Sequence, residues 1–227
     1  MVFVPAGEFT MGSNDNDDEK PAHPVSLDAF WMDKLEVSNA LYKKCVDAGK
    51  CTAPSEKKSF THEAYYGDAR YNNYPVIYVS WNDANAYCSW AGKRLPTEAE
   101  WEKAARGPSS ANDRRIFPWG NTFDANLVNS SEGFRGDTVA VDSFPNGASG
   151  YGVLNLAGNV WEWVADWYDP NYYANAPRNN PKGPSAGQQR VLRGGAWFFN
   201  QLSVRTGLRY SYLPGAGSYL VGFRCVQ

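Results

Sequence analysis

At 227 residues and 25.2 kDa the chain can bury a full core. Its net charge of −2 gives no basic footprint for nucleic acid, and no apolar run approaches the length of a membrane span. With 21 Gly, 14 Pro, 14 Tyr and 9 Trp, it is expected to spend much of its length in turns and to pack through large aromatics.

Met1-Val-Phe-Val-Pro5 lacks the basic start and apolar run of a signal peptide. Val2 to Gly12 reads as two short strands around a turn, and the acidic run Asn14–Glu19 as a solvated loop without the Gly and final Glu of an EF-hand. Val25–Met32 reads as a strand. Ser38 caps a helix to about Ala48, with Leu41 and Val46 expected on its inner face. Pro75–Val79 is apolar and extended. Ser80 caps a second helix, Asn82 to Ala91, which Gly92 ends. Thr97-Glu-Ala-Glu100 is a capping box that opens a third helix to about Arg106. From Pro118 to Gln227 only short extended pieces are legible. The expected fold class is α+β, mainly antiparallel and largely irregular, with residues 1–227 as one domain.

The four cysteines do not have zinc spacing. They read either as two disulfides, Cys45–Cys51 and Cys88–Cys225, or as four buried thiols in a reducing cytosol. Disulfides favour surface or extracellular exposure, and the compartment stays open.

The last segment has a stiff frame, Arg190-Val-Leu-Arg-Gly-Gly-Ala-Trp197 and Val221-Gly-Phe-Arg-Cys-Val226. Its filling, Phe198 to Leu220, holds no Lys, Asp, Glu, Met or Trp and has neither strand nor helix periodicity. Aromatics among small polar residues are the composition of a binding loop.

Several stretches, in order, carry a resemblance. They include Pro5-Ala-Gly-Glu-Phe-Thr-Met-Gly12, Glu36-Val-Ser-Asn39, Arg94-Leu-Pro-Thr-Glu-Ala-Glu-Trp-Glu102, Phe117-Pro-Trp-Gly-Asn121, Asn155-Leu-Ala-Gly-Asn-Val-Trp-Glu-Trp163, Arg193-Gly-Gly195 and Gly222-Phe-Arg224. Together they resemble the formylglycine-generating enzyme (sulfatase-modifying factor) family over nearly the whole chain. The resemblance implies an elaborated C-type lectin fold and a Cys88–Cys225 pair. It also implies a calcium site at Asn155, Gly158, Val160 and Glu162, and a second at Asn126, Leu127, Glu132 and Phe134. For Glu162 a pairing with an arginine is the alternative. The family's copper-binding cysteine pair falls on Phe199 and Val204, and thiolate is the ligand that selects Cu(I). Its iron-binding members use a histidine cluster, whereas His23 and His62 stand alone here. No copper, no iron and no enzymatic activity are therefore expected.

The C-terminal frame also resembles the variable region of diversity-generating retroelement proteins. There, adenine positions, mostly in asparagine codons, are rewritten. From Phe198 to Leu220 only Gln201 lies outside the residues such codons reach. Val204, Arg205, Thr206, Arg209 and Pro214 fit fixed positions. The resemblance implies that residues 190–227 are the variable region, with Phe198, Phe199, Asn200, Leu202, Ser203, Leu208, Tyr210, Ser211, Tyr212, Leu213, Gly215, Ala216, Ser218, Tyr219 and Leu220 as ligand-binding positions. The expected function is a non-catalytic monomer displaying this surface to a protein or cell-surface ligand. The alternatives are an oxidoreductase of the family with an altered active site, and a fixed partner-docking domain.

Overall fold

A computed structural model describes residues 1–108 and 115–227. Among these residues eight short strands and three α-helices are joined by long irregular connections. Strands β1 (Val2–Val4) and β2 (Gly7–Met11) do not form a hairpin with each other. β1 pairs antiparallel with β4 (Phe30–Met32), and β2 with β3 (His23–Leu27). The single strand expected over Val25–Met32 is thus two, turned at Asp28-Ala29.

Helix α1 (Asn39–Asp47) starts at Ser38, whose hydroxyl accepts from the Leu41 amide. It buries Tyr42 and Cys45 and packs Val46 against the same cluster, as expected, whereas Leu41 is exposed and that part of the expected inner face is corrected. Tyr42, which lies against Tyr87 and Phe223, takes the inward place instead. Helices α2 (Trp81–Trp90) and α3 (Glu98–Arg106) both open on capping boxes, Ser80 with Asp83 and Thr97 with Glu100. α3 is buried along its whole length.

The principal sheet runs β7 (Tyr210–Tyr212), β6 (Arg190–Arg193), β5 (Trp161–Trp167), β8 (Val221–Phe223). β5 is antiparallel to β6 but parallel to β8, a departure from the antiparallel expectation. Two apolar clusters flank this sheet. One joins β1–β4 to α3 around Trp101; the other joins α1 and α2 to Trp161, Trp163 and Phe223. Both disulfides form, Cys45–Cys51 beside α1 and Cys88–Cys225 between α2 and the chain end.

The acidic run is not fully solvated. Glu19 is buried because Arg205 reaches it from the far end of the chain, with Nη2 donating to Glu19 Oε1 at 2.8 Å. No described helix is long and apolar enough to cross a membrane.

Candidate binding face

β6 delivers the chain to Gly194 and Gly195, both at positive φ. A Cβ on Gly195 would lie 2.6 Å from the Ser203 carbonyl oxygen, so only glycine lets the following loop fold back over the strand. From there the backbone of Phe198–Leu220 is pinned from below. Arg193 donates to the carbonyls of Thr206, Leu208 and Gly207 and is ion-paired with Glu102 of α3. Arg209 forms a two-pronged pair with Glu98, at 2.8 and 3.0 Å, and donates to the carbonyls of Asp18 and Asp169. Burial alone would raise Glu98, but Arg209 and Arg193 hold it below the usual carboxylate range. Arg205 binds Glu19 and Asp15. The amides of Tyr78, Trp81 and Ser131 donate to the carbonyls of Ser218, Pro214 and Phe199.

The side chains divide sharply. Val204, Thr206 and Arg209 are buried, and Arg205 is engaged inward. None of the positions expected to bind ligand is buried. Phe198, Asn200, Leu202, Tyr210, Leu213 and Gly215 are exposed, and Phe199, Ser203, Leu208, Ser211, Tyr212, Ala216, Ser218, Tyr219 and Leu220 are intermediate. Leu202, Leu213 and Phe198 are 65%, 56% and 54% exposed.

Two buried tryptophans form the floor. Trp161 carries Tyr210 stacked at 5.2 Å and Phe199 edge-on at 5.6 Å. Trp197 contacts Phe198 at 5.5 Å and Tyr219 at 6.3 Å. Neither indole N–H has a hydrogen-bond partner. The segment's arginines are spent on carboxylates beneath it, so the outward surface is neutral, aromatic and hydroxyl-bearing.

Sequence reasoning missed Phe60. It stacks on Tyr219 at 5.5 Å and lies 5.3 Å from Trp197, extending the face beyond the segment. It also missed what Glu132 does. Its Oε1 accepts the Gln201 amide and its Oε2 the hydroxyls of Ser130 and Ser131. Phe134, from the same loop, is 92% exposed.

The residues implied as calcium ligands separate into two cases. Asn155 (φ 56°), Gly158 (φ 72°), Val160 and Glu162 lie on one buried stretch. Asn155 donates through Nδ2 to Glu36 and to the Val141 carbonyl, which leaves Oδ1 as its ligating atom. Glu162 does pair with an arginine: Arg224 grips both its oxygens, and Trp101 Nε1 donates to Oε2 at 2.8 Å. Beside them Glu36 Oε1 is buried without a partner, and burial, then Glu162, pushes Glu36 up to about 8. An all-oxygen set next to an orphaned carboxylate oxygen fits a hard cation. In the second set Asn126 is exposed and bonded to Asp124, and Glu132 is committed as above. Leu127 and Phe134 could offer only backbone carbonyls. Among the described residues no group of three or more His, Cys, Asp or Glu is placed to hold a metal. A groove of about 560 Å³ between the β3–β4 turn, the start of α3 and Asn180–Lys182 contains none of these residues.

The whole chain, residues 1–227, matches the model of the sulfatase-modifying factor enzyme 1-like domain. It is 38% identical to the formylglycine-generating enzyme of Bos taurus, over 99% of this chain and 74% of that protein. It is 36% identical to the formylglycine-generating enzyme of Streptomyces coelicolor, over 100% of this chain and 88% of that protein. Among solved structures it is similar to Treponema denticola variable protein 1, with a TM-score of 0.82, 25% identity, and coverage of 100% and 94%. The α+β, C-type-lectin-like expectation holds. The expectation that the chain is not an enzyme is corrected: relatives at this identity, matched over nearly all of this chain, bear an enzyme's name.

Proposed function

The chain belongs to the sulfatase-modifying factor enzyme 1-like family, and from that premise we propose that it binds a protein partner through the face built by Phe198–Leu220. The observation that carries this reading is the division of exposure: the frame positions Val204, Arg205, Thr206 and Arg209 point down into carboxylates and core, whereas none of the candidate contact positions is buried, although Phe199, Leu208, Tyr212, Tyr219 and Leu220 rest partly on the core. Because the backbone is held by buried arginines, little ordering cost falls on binding. The likeness to a variable protein supports the further reading that these positions are replaceable from one copy of the chain to another.

The test is substitution at the exposed ring. Tyr210→Ala is expected to weaken partner binding by about 2 kcal/mol or more, roughly 30-fold. The melting temperature should stay within a few degrees, since the ring is half exposed. A large loss of stability with unchanged affinity would make Tyr210 a core residue instead.

A second reading gives the face the oxidative chemistry of the enzyme-named relatives, and the 38% identity favours it. All four cysteines lie in disulfides, so that chemistry would run without a free thiol of this chain. Stoichiometric copper or iron in the purified protein would support it.

We also propose that Asn155, Gly158, Val160 and Glu162 hold a structural calcium ion. The ion would draw Glu36 into its ionised form and fix the loop that leads into β5. Calcium at a hundredfold excess over its Kd should then stabilise the fold by about 2.7 kcal/mol. A chelator should reverse the gain, and Asn155→Ala should abolish it. A melting temperature indifferent to calcium in the wild type removes this site.

A further inference from the structure

We propose that Phe60 is a constant contact residue of this face, one that meets an apolar side chain of the protein partner whatever residues the variable segment carries. The inference rests on the reading of Phe198–Leu220 as the binding face.

Phe60 lies outside that segment, yet its ring covers Trp197 and stacks on Tyr219 at 29°. It belongs to none of the buried clusters and is 56% exposed. What holds an exposed ring in that place is polar. The Ser59 hydroxyl, the Thr61 amide and the Thr61 hydroxyl, from the residues on either side of Phe60, all donate to Asp137 Oδ2, at 2.6, 2.9 and 2.6 Å. Asp137 is itself buried and held by the Thr138 amide at 2.7 Å. Three donors on one carboxylate oxygen fix the backbone through Phe60 while its side chain stays more than half exposed. A rigid aromatic with few rotatable bonds is the kind of group that carries binding energy.

The surroundings point to a protein. Apolar rings occupy the centre, no exposed charge comes from the variable segment, and Glu56, Lys57, Lys58 and Glu63, exposed within four residues of Phe60 along the chain, carry charges that cancel. An uncharged aromatic centre inside a mixed-charge rim is the anatomy of a protein–protein interface.

The test uses the full chain. A displayed library of random linear peptides is panned on it, and an enriched peptide that Tyr210→Ala releases serves as the probe. A second chain with different residues at 198–203 is panned in the same way. Phe60→Ser should weaken both probes tenfold or more at an unchanged melting temperature, and Phe60→Trp should keep most of the affinity. If Phe60→Ser leaves both affinities intact while Tyr210→Ala abolishes them, Phe60 is not a contact and the face stands without it. An effect on one chain only, or a fall in melting temperature that accounts for the loss, also overturns the proposal. Displacement of the probes by free sugars overturns the assignment to a protein. If no peptide enriches, or neither substitution matters, the reading of the face falls as well.

Discussion

Gly215 and Gly217 stand two residues apart in one loop and tolerate a side chain very differently. A Cβ on Gly215 would meet nothing within 4 Å, whereas one on Gly217 would lie 2.6 Å from the Tyr78 carbonyl carbon. The first is open surface; the second lets the loop lie against the backbone that leads into α2. Gly217→Ala should therefore cost about 1–3 kcal/mol, the usual range for forcing atoms into a packed site, and Gly215→Ala should stay within about 0.5 kcal/mol. Thermal melts of the two variants check this, and equal losses would undo the division between frame and face at this loop. The same scale explains the arginines. Arg193 and Arg224 are fully buried beside glycines in apolar strands, where a large cation needs a carboxylate partner. Glu102 and Glu162 fill those roles. Sequence alone does not show that Arg224 reaches both oxygens of Glu162.

At the scale of elements, legibility follows the range of the interaction. The three helices are readable because their signals are local: each cap bonds to an amide three residues on. The partners of β1 and β2 are not readable, since strand pairing depends on chain that returns later, and a hairpin is only the shortest way for it to return. The acidic loop is misread for the same reason. Its Glu19 is buried by Arg205, 186 residues away. The segment Phe198–Leu220 is legible through composition, which needs no partner. Phe60 is not, because an isolated aromatic in a polar loop means nothing until Asp137, 78 residues on from Ser59, is seen to anchor that loop.

The whole molecule holds carboxylates pulled in opposite directions, and this sets how its stability varies with pH. Asp166, on β5, is fully buried with its Oδ2 accepting the Glu98 amide, and burial, then Glu98, pushes it up to about 8. Glu36 is raised to about 8 as well. In the unfolded chain both titrate near 4. Between about pH 4 and pH 8 folding therefore takes up protons, and stability declines as pH rises through that window, levelling off above it. Glu19 and Glu98, held below their ordinary values, act lower down: their contribution is present above about pH 4.5 and is lost as pH falls further. The arginines facing the cluster stay charged throughout. Melting temperature should thus fall from pH 5.5 to pH 8.5. Asp166→Asn keeps an oxygen for the Glu98 amide but has no proton to release. Measured in chelator, so that Glu36 contributes equally to both proteins, the variant should gain on the wild type by a few kcal/mol at most as pH rises over this range. Every other group is common to the two and cancels in the difference. Parallel curves would mean that Asp166 is ionised in the folded protein, with its charge met by Arg209 rather than by a proton.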